Sequence, residues 1–132
     1  MIVLDFSFMK KVLYIDDDEL LLKLFAENVR ARFPNIEPVT CLDPIKALEL
    51  IEPSYDLIVI DLEMPKLDGR KLLNFAIERG VDRKKIIIFS SREADYLHKV
   101  IPMGECLCVL NKHETRQQQV LEMVLDSIAR KK

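Results

Sequence analysis

Four short, unbroken apolar runs constrain this chain most: residues 12–15, 57–60, 86–89 and 107–110, each stopped abruptly by polar residues. None is long enough for a helix, and β-branched or aromatic side chains enrich most of them, so each is expected to be a buried strand. A strand that is apolar at every position has no solvent face. Such strands belong to parallel sheets covered by helices on both sides. A fifth, weaker strand is expected over residues 37–41, where Pro38 confines it to an edge because proline cannot donate to a ladder.

Helical patterns fill the intervals. Leu21, Leu24, Phe25 and Val29 recur at helical spacing over residues 19–32, with acids in the first turn and Arg30 and Arg32 in the last, as the helix dipole favours. Asp43 and Pro44 supply an N-cap and a first helical residue ahead of Ile45, Leu48 and Ile51. Asp68 and Gly69 introduce a third helix through Leu72, Leu73, Ala76 and Ile77, which Gly80 ends as a left-handed cap. A mildly amphipathic fourth helix is expected over 93–101. Val120, Leu121, Val124, Leu125 and Ile128 place one apolar face on the last. Five strand–helix alternations give an α/β, doubly wound (βα)5 fold. Right-handed crossovers and an edge position for the second strand select the flavodoxin-like five-stranded order 2-1-3-4-5.

With 132 residues there is room for one domain, read as residues 10–132 behind an N-terminal extension, 1–9, of unknown role. A net charge of −2 lacks the basic excess that direct nucleic-acid binding requires. The three cysteines, Cys41, Cys106 and Cys108, are odd in number, and the last two suit alternate faces of a strand better than a zinc site. No apolar stretch approaches the roughly 18 residues of a membrane span. A reducing, cytoplasmic location without membrane insertion is expected.

In this fold the carboxyl ends of all strands lie on one rim, where open α/β sheets bind ligands. There the first, third, fourth and fifth strands deliver Asp16 and Asp17, Asp61, Ser90 and Lys112. Crowded carboxylates repel one another unless a cation neutralises them. Oxygen ligands without histidine or thiolate favour a hard ion, and Mg²⁺ over Ca²⁺ where water and phosphate share the site. A carboxylate beside such an ion can attack a phosphoryl group in line, with Lys112 neutralising the equatorial oxygens and Ser90 donating a hydrogen bond.

Ile15-Asp16-Asp17, Asp61 with Met64-Pro65 and Asp68-Gly69, Ser90 and Lys112 together resemble the response regulator receiver domain of two-component signalling, over about residues 10–130. The resemblance implies that Asp61 accepts a phosphoryl group from a sensor histidine kinase, a phosphotransfer protein or a small phosphodonor. It implies Mg²⁺, replaceable by Mn²⁺, held by Asp17, Asp61 and the Glu63 main-chain carbonyl, with Asp16 assisting through water. It also implies a signalling protein that catalyses only its own phosphoryl transfer and slow dephosphorylation. A downstream protein would read the face of the fourth helix, fifth strand and fifth helix.

The chain departs from that pattern at two places. His113 stands where the family generally has proline, so the Lys112–His113 bond is expected to be trans, since a non-proline cis bond costs about 2.5 to 4 kcal/mol. The loop should then differ and Lys112 sit less favourably. Val109 occupies the position of the family's switch aromatic. Glu63 and Arg92, at positions that tune dephosphorylation, are expected to pair across the site. Two other readings compete: a phosphorylation-independent interaction module, and a haloacid dehalogenase-like phosphatase using Asp16 and Asp18. Against the phosphatase stand Leu20, the lack of a second acidic motif after Lys112, and an unexplained Asp61.

Overall fold

Asp61 ends the central strand of a five-stranded sheet, and the computed structural model, which describes residues 9–131, shows how the chain brings it there. The strands are β1 (Lys10–Ile15), β2 (Ile36–Cys41), β3 (Leu57–Asp61), β4 (Ile86–Ser90) and β5 (Cys108–Asn111). All neighbours are parallel and the order is β2-β1-β3-β4-β5, the expected doubly wound arrangement. The helices between and after them are α1 (Glu19–Arg32), α2 (Pro44–Leu50), α3 (Gly69–Glu78), α4 (Ala94–Val100) and α5 (Thr115–Arg130). Residues 1–8 of the expected extension lie outside the described part.

Alternation along the strands divides the core. Leu13, Ile15, Ile58, Ile60, Ile86 and Ile88 pack on one face with residues of α2, α3 and α4. Val12, Tyr14, Leu57, Val59, Ile87 and Phe89 pack on the other with α1 and α5. Because both faces are covered, β3 and β4 are buried at every position, which is why their sequences are continuously apolar. Pro38 sits on the edge strand opposite Val12, and Cys106 and Cys108 pack toward opposite sides of the sheet.

Caps fall where short polar side chains meet free amides. Asp43 accepts from the Ile45 N–H at 2.9 Å and Asp68 from the Lys71 N–H at 2.9 Å. Gly80 closes α3 with φ of 93°, a conformation glycine adopts without penalty. The fourth helix is one residue shorter at each end than its pattern suggested, because Glu93 and Ile101 adopt extended backbone and stand as its caps. The fifth strand runs one residue later, from Cys108 to Asn111, since its register is fixed by Ser90 opposite Asn111.

Candidate functional site

The ladder brings the strand ends to one rim: Ile15 is level with Ile60, Asp61 with Phe89, and Ser90 with Asn111. Asp16, one step beyond β1, is fully buried, and Asp61 is 2% exposed. A carboxylate so placed needs partners, and Asp16 has them on both oxygens. Its Oδ1 accepts the Asp18 N–H at 3.0 Å. Its Oδ2 accepts the Tyr14 hydroxyl at 2.7 Å and the Lys112 ammonium at 2.7 Å.

Lys112 also reaches Asp61 Oδ1, at 3.1 Å, and so bridges the two buried acids. The absence of cis peptide bonds among the described residues fits the trans bond expected at Lys112–His113. The less favourable seat expected for Lys112 is not what the geometry shows. Asp61 Oδ1 takes a further, longer bond from the Glu63 N–H at 3.3 Å. Asp17 is exposed, and one oxygen each from Asp16, Asp17 and Asp61 lie within 4.8 Å of one another. Together with Glu63, Lys112 and His113 they line an open cavity of about 490 Å³.

Burial, and then the charge of Asp16, push the Asp61 carboxyl up to about 7, although Lys112 opposes both. Burial pulls the Lys112 ammonium down, but its bonds to and attraction by Asp16 and Asp61 outweigh that and raise it above the ordinary lysine value. The Tyr14 phenol is raised, first by burial and then by Asp16, and therefore stays a donor. One ammonium does not neutralise three acids. An oxygen-only cluster with surplus negative charge, in which Asp61 holds its proton well above the ordinary carboxylate range, suits a hard divalent cation such as Mg²⁺.

Ser90, fully buried, donates to Glu63 Oε1 at 2.5 Å and accepts from the Arg92 N–H at 3.0 Å. This corrects the expected Glu63–Arg92 pair. The Glu63 carboxylate is turned toward Ser90, with Oε2 buried and without a hydrogen-bond partner, and the Arg92 guanidinium stacks instead on Tyr96, 3.9 Å from the ring centre. An exposed cation gains as much from a ring face as from a surface ion pair, so nothing holds it to Glu63. Asp18, the acid a phosphatase would use, caps α1 by accepting from the Leu21 N–H at 3.1 Å.

Three residues have roles that the motifs did not reveal. Tyr14 reads as core, yet it precedes Asp16 by two, which on a strand is the same face. Gly69 packs its α-carbon against the chain leaving β3. A Cβ there would lie 2.7 Å from Leu62 Cα and closer still to the Asp61 carbonyl oxygen. Asn111 ends a strand as many polar residues do, but its buried amide joins two loops of the site.

Comparison with known proteins agrees with this geometry. The sequence profile of the response regulator receiver domain matches residues 12–124. Over 69 residues, 49% of this chain and 19% of the relative, the sequence is 45% identical to a protein-glutamate methylesterase/protein-glutamine glutaminase of Nitrosomonas europaea. It is 30% identical over 99 residues, 73% of this chain and 16% of the relative, to the two-component response regulator ARR12 of Arabidopsis thaliana. The chain thus spans less than a fifth of either relative. The receiver domain of the Francisella response regulator 1452 superposes with a TM-score of 0.65 at 27% identity, covering 91% of this chain and 96% of that one. By profile, fold and the acidic rim at the ends of β1 and β3, this chain belongs to the response regulator receiver domain family.

Proposed function

We propose that this chain accepts a phosphoryl group on Asp61 from the phosphohistidine of a sensor histidine kinase or phosphotransfer protein, or from a small phosphodonor. The observation that carries the reading is the Lys112 ammonium held between Asp16 Oδ2 at 2.7 Å and Asp61 Oδ1 at 3.1 Å, beside the exposed Asp17. The free oxygen of Asp61 attacks phosphorus, the phosphorus–nitrogen bond to the donor imidazole breaks, and the electron pair leaves with the imidazole, which takes a proton. Lys112 supplies positive charge for the phosphoryl oxygens. The Glu63 N–H, already bonded to Asp61, holds the carboxylate in orientation.

Asp17, Asp61 and the Glu63 main-chain carbonyl would hold Mg²⁺ or Mn²⁺, with Asp16 acting through water. When bound, the ion offsets negative charge on the transferred group. Asp16, bonded by Tyr14, Lys112 and the Asp18 amide, orients Lys112. Ser90 must give up Glu63 to bond a phosphoryl oxygen. The phosphoryl group, carrying about −1.5 to −2 where the Asp61 carboxylate carried a single negative charge, then biases the loops beyond β4 and β5, and a downstream protein reads the neighbouring face.

Intact-mass measurement after incubation with Mg²⁺ and acetyl phosphate tests the reading. The wild type should gain the mass of one phosphoryl group and Asp61→Asn none. A wild type that stays unmodified would overturn it in favour of a phosphorylation-independent interaction module, and an Asn variant that gains the same mass would overturn Asp61 as the acceptor.

A further inference from the structure

We infer that Asn111, Gln117 and Gln118 form a polar clamp that seats Lys112 between Asp16 and Asp61. The inference rests on the reading of Lys112 as the charge-neutralising residue of the phosphoryl site.

Lys112 lies in the turn between β5 and α5, where its own main chain is held by side chains on either side. The Asn111 N–H donates to Gln117 Oε1, and the Lys112 carbonyl accepts from Gln118 Nε2 at 2.5 Å. The Asn111 side chain completes the turn, its Oδ1 accepting the His113 N–H at 2.7 Å. Three consecutive residues thus have a main-chain group fixed by an amide side chain, two of them from the first turns of α5. The Lys112 N–H adds a bond to the Ser90 carbonyl at 2.8 Å. Gln117 is in turn steadied by Glu114, at 2.6 Å.

The clamp accounts for how a flexible four-carbon side chain is held in a bridging position. Lysine loses rotamer freedom when immobilised, and a main chain free to shift would add to that loss. Asn111 also donates from Nδ2 to the Arg92 carbonyl at 2.9 Å, and the Arg92 N–H donates to Ser90 Oγ at 3.0 Å. The turn that carries Lys112 and the loop that follows Ser90 are therefore tied through one buried amide.

Competitive labelling of lysines on the metal-free protein tests the clamp without any phosphoryl chemistry. Trace acetic anhydride is applied and each lysine is quantified by peptide mass spectrometry relative to the exposed Lys23. In Gln118→Ala and Asn111→Ala the relative labelling of Lys112 should rise about five-fold, the change that matches the net worth of about 1 kcal/mol of one hydrogen bond. Gln119→Ala, an exposed neighbour on α5, should leave it unchanged. Phosphorylation by acetyl phosphate should slow in the first two variants and not in the third. Gln118 is exposed, so its variant decides the matter if Asn111→Ala fails to fold. Lys112 labelling no higher in Gln118→Ala than in Gln119→Ala overturns the clamp. A wild type that labels as expected but takes no phosphoryl group overturns the reading of Asp61 and leaves the clamp standing.

Discussion

Replacing Asp61 with asparagine should make the metal-free protein more stable, by an amount that grows with pH. The folded state holds the Asp61 proton up to about 7, whereas the ordinary carboxyl value is 3.8, so between these the native state binds more protons than the unfolded chain. Stability therefore falls as pH rises through that window, at about 1.4 kcal/mol per pH unit, and is about 4 kcal/mol lower well above it. Asparagine resembles the protonated acid in shape and charge and carries no such loss. Melting in EDTA at about pH 9 should place the variant roughly 10 to 15 °C above wild type, and at about pH 4 the curves should nearly coincide. Saturating Mg²⁺ should close much of the gap at high pH, because a ligand that binds only the folded wild type stabilises it by mass action. An asparagine variant no more stable than wild type at high pH in EDTA would refute the account of Asp61 as a carboxylate held against its own electrostatics.

Other substitutions probe separate parts of the site. Tyr14→Phe removes one buried bond to a carboxylate and should lower stability by about 1.5 to 3 kcal/mol in chemical denaturation; an unchanged midpoint would show that the hydroxyl does not hold Asp16. Lys112→Met leaves Asp16 and Asp61 without their shared cation and should cost about 3 to 5 kcal/mol at high pH in EDTA. The cost should shrink below neutrality as Asp61 takes a proton, and a pH-independent loss in the melts would contradict this. Gly69→Ala forces a methyl against the main chain of Asp61 and Leu62, so it should cost about 1 to 3 kcal/mol and slow acetyl phosphate turnover. A variant that melts and reacts like wild type would mean that α3 can move away freely.

The sequence told most where burial leaves no choice. Residues 57–60 and 86–89 have no polar position because both sides of β3 and β4 are covered, and that same fact made the parallel sheet legible. Pro38 placed β2 at an edge before any pairing was known, and once the strand order followed, so did the convergence of Asp16, Asp61, Ser90 and Lys112. What stayed hidden depends on side-chain torsions and on neighbours far apart in sequence. Whether Glu63 meets Arg92 or Ser90 is a matter of one rotamer in a loop, and the buried hydroxyl won because Arg92 had a ring nearby. The support under Lys112 comes from glutamines five and six residues later, whose spacing carries no signature outside the three-dimensional turn.

These observations share one electrostatic cause. Asp16, Asp17 and Asp61 face a single ammonium, and the sheet has drawn two of the acids out of water, so the rim is deficient in positive charge. A phosphoryl group carrying about −1.5 to −2 in place of the single charge of the Asp61 carboxylate would deepen that deficit, and neither Asp16 nor Lys112 has slack to absorb it, since each is already bonded by groups fixed in strand or turn. Glu63 differs: it is a loop carboxylate with one oxygen unpaired, bonded to the hydroxyl that an incoming phosphoryl oxygen would also seek. New negative charge there repels Glu63 and attracts Ser90, and both forces act in the direction that breaks their bond. Ser90 is linked through the Arg92 amide, and Arg92 through Asn111, to the turn that holds Lys112, so the contact most easily exchanged is joined to the segments that lead to α4 and α5.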